Sequence, residues 1–180
     1  MSDIYRCFSE KGLFSQEFLR QDATEEAFKA NAGRYSVVHI ATHGLVDEAD
    51  PRMSALVFTP NDTTLSQEDG ILYADEVKDL KLNADLVVLS RCESGVGKMV
   101  RGEGLMALTR GFFYAGARNV VFSLWRVIDR QTSDLMSLFY KEVLAGRSYS
   151  YALRAAKLKM IAAPGSAYPL NWAGFVLVGR

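Results

Sequence analysis

Histidine and cysteine are both scarce in this chain of 180 residues, at two each. Cys7 and Cys92 are too few for a disulfide scaffold and suit a reducing compartment, so the cytoplasm is the expected location. Charge of one sign is lacking too: 21 Lys+Arg face 21 Asp+Glu, for a formal net charge of zero. A chain without excess positive charge is not, as a whole, a nucleic-acid or anionic-membrane binder. No apolar run approaches the roughly 18 residues of a membrane span. The opening MSDIYRCFSEKG carries charges where a secretory signal would be apolar.

Several site motifs are also missing. There is no CxxC pair for a structural zinc and no GxSxG nucleophile elbow. GVGK is not a phosphate loop, because Cys92 stands where the first glycine belongs and Met99 replaces the Ser/Thr. HIATH has the two-His spacing of a zinc helix but lacks the Glu and reads as a strand. A structural zinc site is therefore not expected. Nucleophile–histidine chemistry must then draw on His39, His43, Cys7 and Cys92 alone.

What is present builds a core. The hydrophobic share is 49%, and the length suits one domain over residues 1–180. Residues 3–12 read as a weak helix ending at Gly12, and 13–20 as a short edge strand by alternation. Asp22 or Thr24 opens a helix, Asp22 having the capping-box spacing to Glu25, and that helix ends near Gly33. YSVVHIATHG and ADLVVLS are unbroken apolar, β-branched runs, the pattern of strands buried in a parallel sheet. Between them lie a possible strand at 54–58, turns at Asn61–Asp62 and Asp69–Gly70, and a helix from Leu72 to Leu80.

Leu105, Leu108, Phe112 and Ala115 share one helix face, with Gly116 as its stop. NVVFSLW is a third strand. Asp129 or Thr132 caps a helix whose core face is Leu135, Leu138, Phe139 and Val143; Ser148 caps another running to about Ala162. WAGFVLVG is the last strand. Strands alternating with helices predict a three-layer α/β domain with a mainly parallel sheet.

In such a sheet, sites form beyond the carboxyl ends of the strands. The first strand delivers Thr42–His43–Gly44 there and the second Arg91–Cys92–Glu93. If the two strands are neighbours, His43 and Cys92 emerge side by side as a base and a thiol nucleophile. Gly44 offers an uncovered backbone N–H suited to an oxyanion, and oxyanion donors contribute about 3–4 kcal/mol to such transition states. The layout favours acyl transfer. His39 lies inside the apolar run and reads as a core or supporting histidine; Cys7 has no partner motif.

HIATHG, ADLVVLSRCESG, GEGLMALTRGFFYAGARNVVFSLW and YPLNWAGFVLVG, in that order over residues 22–180, resemble the CHAT domain, a caspase- and separase-like module often joined to TPR repeats. The resemblance implies a clan CD cysteine peptidase fold with His43 and Cys92 as catalytic dyad. It implies an oxyanion site at the Gly44 and Cys92 amides, no cofactor, a protein or peptide substrate, and a TPR-like regulatory domain or protein. In separase-like relatives an acid after the LW strand reads a basic substrate residue; the corresponding position is Asp129, whose other reading is a helix cap. Asp75 and Glu76 are further candidates.

Arg91 departs from the small residue usual before the nucleophile. Pointing inward it would lower the thiol pKa; otherwise it would crowd the site. The resemblance also implies a six-stranded sheet whose first strand is not found before Leu13. The chain is therefore expected to be the C-terminal portion of a fuller domain, with dimerisation as one way to cover an exposed edge. The competing readings are a non-catalytic interaction module and another acyl-transfer enzyme, such as a transpeptidase or thioesterase.

Overall fold

Short β-branched runs become strands and longer amphipathic stretches become helices. In the computed structural model, which describes residues 2–61, 68–90, 103–125 and 127–179, the chain opens with helix α1 (Ser2–Ser9), then α2 (Glu25–Asn31). Strands β1 (Val37–Ile40), β2 (His43–Leu45), β3 (Ala55–Val57) and β4 (Ile71–Tyr73) follow, then α3 (Ala74–Val77), β5 (Leu86–Leu89) and α4 (Glu103–Tyr114). Last come β6 (Asn119–Ser123), α5 (Asp129–Leu144), α6 (Tyr149–Ala162) and β7 (Phe175–Gly179). The protein is mixed α/β with a mainly parallel sheet, as the alternation predicts.

The chain forms two compact units, Met1–Glu17 with Val127–Leu177, and Phe18–Arg126 with Val178–Arg180. In the second unit, β1, β5 and β6 are successive parallel neighbours. Val37–Ile40 register with Leu86–Leu89, and Val87–Leu89 with Val120–Phe122. The whole of β5 and β6 is buried, the pattern a parallel sheet imposes on its inner strands. The end of β7, Val178–Gly179, lies at the β6 edge, with Gly179 close against Asn119.

The α4 helix packs on α3 so closely that a Cβ at Gly111 would stand 3.1 Å from the Ala74 carbonyl and from Val77. Gly116 ends this part of the chain at φ +113, where its hydrogen atom faces the Leu82 carbonyl. A second, antiparallel sheet runs β2-β3-β4.

Three expectations are corrected, and one pair of alternatives is decided. Residues 13–19 form no strand; the alternation there leads into a short 3-10 turn at Arg20–Asp22. Thr24, not Asp22, caps α2, its hydroxyl accepting from the Ala27 N–H at 3.2 Å. The stretch beginning at Leu72 is first a strand, because Leu72 pairs with Leu56 of β3, and only Ala74–Val77 is helical. The strand beginning at Val37 stops at Ile40 rather than at Gly44, because His43–Leu45 pair with Val57–Ala55 in the other sheet.

The first unit is helical: α1 and α6 both pack against α5. Leu135 and Phe139 are core residues as expected, but the core also takes Met136 and Tyr140, while Leu138 and Val143 stay half-buried. The second partner explains the change. Phe8 of α1 meets the Tyr140 ring edge-on at 5.2 Å, so α5 buries a wider stripe than one neighbour would require. Ser148 caps α6 as predicted.

Candidate active site

Parallel pairing of β1 with β5 sets the place where chemistry can gather. The ladder runs past the strands: the Ser90 N–H donates to the Ile40 carbonyl at 3.0 Å. Both strands therefore release the chain at one edge of the sheet. Only Ala41 and Thr42 separate β1 from His43, and the Thr42 hydroxyl donates to the Val57 carbonyl, turning the chain toward the second sheet. His43 is exposed at the start of β2, opposite Val57, and Gly44 is buried opposite Leu56. Arg91, Cys92 and Glu93 lie outside the described residues, as does the glycine-containing stretch up to residue 102.

His39 behaves differently from His43. Its Nε2 lies 2.8 Å from the buried Ser90 hydroxyl, across the β1–β5 pair. The ring keeps a little solvent contact, yet burial pushes its pKa down to about 3. His39 is thus a neutral, hydrogen-bonded imidazole at physiological pH. It supports the strand end through Ser90. Ser90 is a residue that sequence reasoning missed; its only signal is its place at the end of an apolar run.

A cluster of acids sits elsewhere in the same unit. Glu25, Glu68 and Glu76 bring carboxylate oxygens within 4.8 Å of one another, a spacing that suits a cation. That cation is Lys29, whose Nζ is 2.7, 2.6 and 3.2 Å from them. Burial works against the ammonium charge, but the three carboxylates outweigh it and hold the Lys29 pKa above the ordinary lysine value. Burial raises the Glu25 carboxyl, which also accepts the Gly70 N–H at 3.0 Å. Glu76 further accepts the Tyr73 N–H at 3.0 Å at the start of α3. Asp75 pairs with Lys78 at 2.5 Å. Of the two minor specificity candidates, then, Glu76 is committed to this structural knot and Asp75 to a neighbouring lysine.

Asp129 is exposed in the first turn of α5, in the other unit. The N-cap there is Ile128, with no side-chain cap, so neither Asp129 nor Thr132 holds the capping place the sequence suggests. Cys7 is a free, half-buried cysteine on α1.

The chain belongs to the CHAT domain family, whose model matches residues 4–180. Among curated proteins, tetratricopeptide repeat protein 28 of Mus musculus is 30% identical over 201 residues, spanning 93% of this chain. The Homo sapiens protein of the same name matches equally. The chain spans 8% of the length of either relative. Among the described residues no helix is long and apolar enough to cross a membrane.

Proposed function

We propose that this CHAT domain is a cysteine endopeptidase acting on a protein substrate. The Cys92 sulfur attacks the scissile carbonyl, and the Gly44 and Cys92 amides hold the oxyanion. His43 moves the proton to the leaving amine; the thioester then takes up water and releases the acid and the free thiol. No metal or organic cofactor is needed for these steps. The observation that carries the reading is the parallel registry of Ile40 with Leu89, since the segments bearing His43 and Cys92 leave adjacent strands at the same sheet edge. Asp129 is proposed to read a basic substrate side chain.

The test is cleavage of a bound protein substrate by wild type and by Cys92→Ala. The variant is expected to fold normally and to lose cleavage; equal cleavage would sink the mechanism. A transpeptidase or thioesterase using the same dyad would be revealed by transfer products when an amine acceptor is added.

A second reading, a non-catalytic interaction module, is favoured by the relatives being named as tetratricopeptide repeat proteins. Under either reading the partner we propose is a TPR-like regulatory domain or protein in the cytoplasm. A thiol-reactive peptide electrophile separates the two. Rapid modification of Cys92 over Cys7 supports the peptidase, and equal, slow modification of both supports the module.

A further inference from the structure

Charge is spread unevenly along this neutral chain. From Arg147 to Arg180 there are five Lys and Arg residues and no Asp or Glu. Helix α6 lies in that stretch and carries Arg154, Lys157 and Lys159 without an acid. It buries Ala152, Leu153, Ala156 and Met160 and packs against α5. An ordinary surface helix is polar on its other side, and α6 is not. Tyr151, Leu158 and Ile161 are 49, 47 and 42% exposed. With exposed Arg154 they stand at i, i+3, i+7 and i+10, the a and d spacing of a helix seam. At 3.6 residues per turn the four fall within about 80° of arc, opposite the buried residues, and the stripe is about 15 Å long.

One exposed apolar side chain is unremarkable, but a narrow row of them along a helix marks a contact surface. The cations belong to that row. The Arg147 guanidinium lies over the Tyr151 ring, 5.5 Å from its centre. Lys159 pairs with Glu142 at 2.7 Å, whereas the Arg154 guanidinium has no ion pair or hydrogen bond among the described residues. An unpaired cation thus stands inside the stripe, and a second covers its first ring.

These features say what covers the face. The a and d spacing fits one helix laid along α6, the side chains of each filling gaps in the other. The unbalanced positive charge calls for carboxylates beside the apolar contacts. An anionic membrane surface matches the sign of the charge but not its placement. Arg154 lies between Tyr151 and Leu158 along the stripe, where lipid would bring hydrocarbon against a guanidinium.

We propose that the outer face of α6 docks an acidic amphipathic helix of a partner protein. Tyr151, Leu158 and Ile161 meet its apolar stripe, and Arg147 and Arg154 meet carboxylates at its edges. Neither His43 nor Cys92 is on α6, so this docking is independent of how that pair acts.

The experiment uses two fluorescein-labelled peptides of three heptads, with Leu at a and d, alike but for Glu or Lys at e and g. Like charges at e and g keep each peptide from pairing with itself. In fluorescence anisotropy with the full chain, the Glu peptide should bind at least about 10-fold more tightly than the Lys peptide. Arg154→Glu should abolish that preference, and Leu158→Ser should weaken Glu-peptide binding about 10-fold. Both positions are exposed, so both variants should keep the wild-type melting temperature. Failure of the Glu peptide to bind, equal binding of the two peptides, or an affinity unchanged in both variants overturns the proposal. Sedimentation and vesicle flotation test the other occupants. A wild-type dimer that Leu158→Ser dissociates would place a second copy on the face. Binding to phosphatidylserine vesicles that is lost in Leu158→Ser would place a membrane there. Either result also overturns the proposal.

Discussion

His39 and Ser90 join the two strands that lead to the candidate dyad, with Nε2 of the imidazole 2.8 Å from the serine hydroxyl. The contact links β1 to the last described residue before Arg91–Cys92, with Ser90 buried and His39 half-buried. A buried hydrogen bond of this kind is costly to break one-sidedly, because the remaining group keeps its desolvation cost. Ser90→Ala should lower stability by about 1–3 kcal/mol in urea unfolding. In a double-mutant cycle with His39→Leu the two losses should be less than additive. Full additivity would show that the contact contributes nothing.

Acid should weaken the second unit through His39. Burial lowers its folded-state pKa to about 3 from the ordinary 6.5. Between those values the unfolded chain binds a proton that the folded one does not, so stability falls as the pH drops through this window. The slope attributable to one such group is about 1.4 kcal/mol per pH unit at most. Urea titrations of wild type and His39→Leu at pH 7 and pH 4.5 would measure it. The wild type should lose more than the variant on acidification, and parallel losses would contradict the assignment.

Lys29 neutralises three carboxylates at once. Lys29→Met would leave Glu25, Glu68 and Glu76 facing one another without a counter-charge. The ammonium and two of the acids are partly exposed, so the expected loss at neutral pH is about 2–4 kcal/mol rather than the full value for a deeply buried pair. Like-charge repulsion raises the carboxyl pKa values of the variant. The deficit relative to wild type should therefore shrink as the pH falls toward 4.5. A deficit that stays constant, or a variant as stable as wild type at pH 7, would mean that the cluster does not tie the fold together.

Gly104→Ala tests the approach of the β2–β3 loop to α4. In an open helix alanine would gain about 1 kcal/mol over glycine. Here the new Cβ would meet Val46 at 2.8 Å and the Asp47 carbonyl at 2.9 Å. The variant should be destabilised by about 1–3 kcal/mol by crowding, read as a lower urea midpoint. A raised midpoint would mean that the loop yields easily.

Much of the fold was legible because its signals are local. The apolar runs Val37–Ile40, Leu86–Leu89 and Asn119–Ser123 form strands where expected, and Gly116, Gly146 and Ser148 stop or cap helices as their chemistry dictates. What failed was short. His43–Leu45 and Ile71–Tyr73 are three residues each, too brief for a period to declare itself, and both exist only through pairing with β3. Leu13–Arg20 shows the converse: alternation by itself makes no strand there.

The candidate site divides the same way. The scarcity of histidine and cysteine, together with the strand pattern and the resemblance, singles out His43 and Cys92. Sequence by itself determined which residues are available for the chemistry, since composition and local pattern need no knowledge of distant contacts. The tertiary structure alone decided that β1 and β5 are neighbours, that His39 is neutral because it is buried against Ser90, and that Glu76 serves Lys29. Each of these depends on which distant segments meet, and burial and pairing are properties of that meeting.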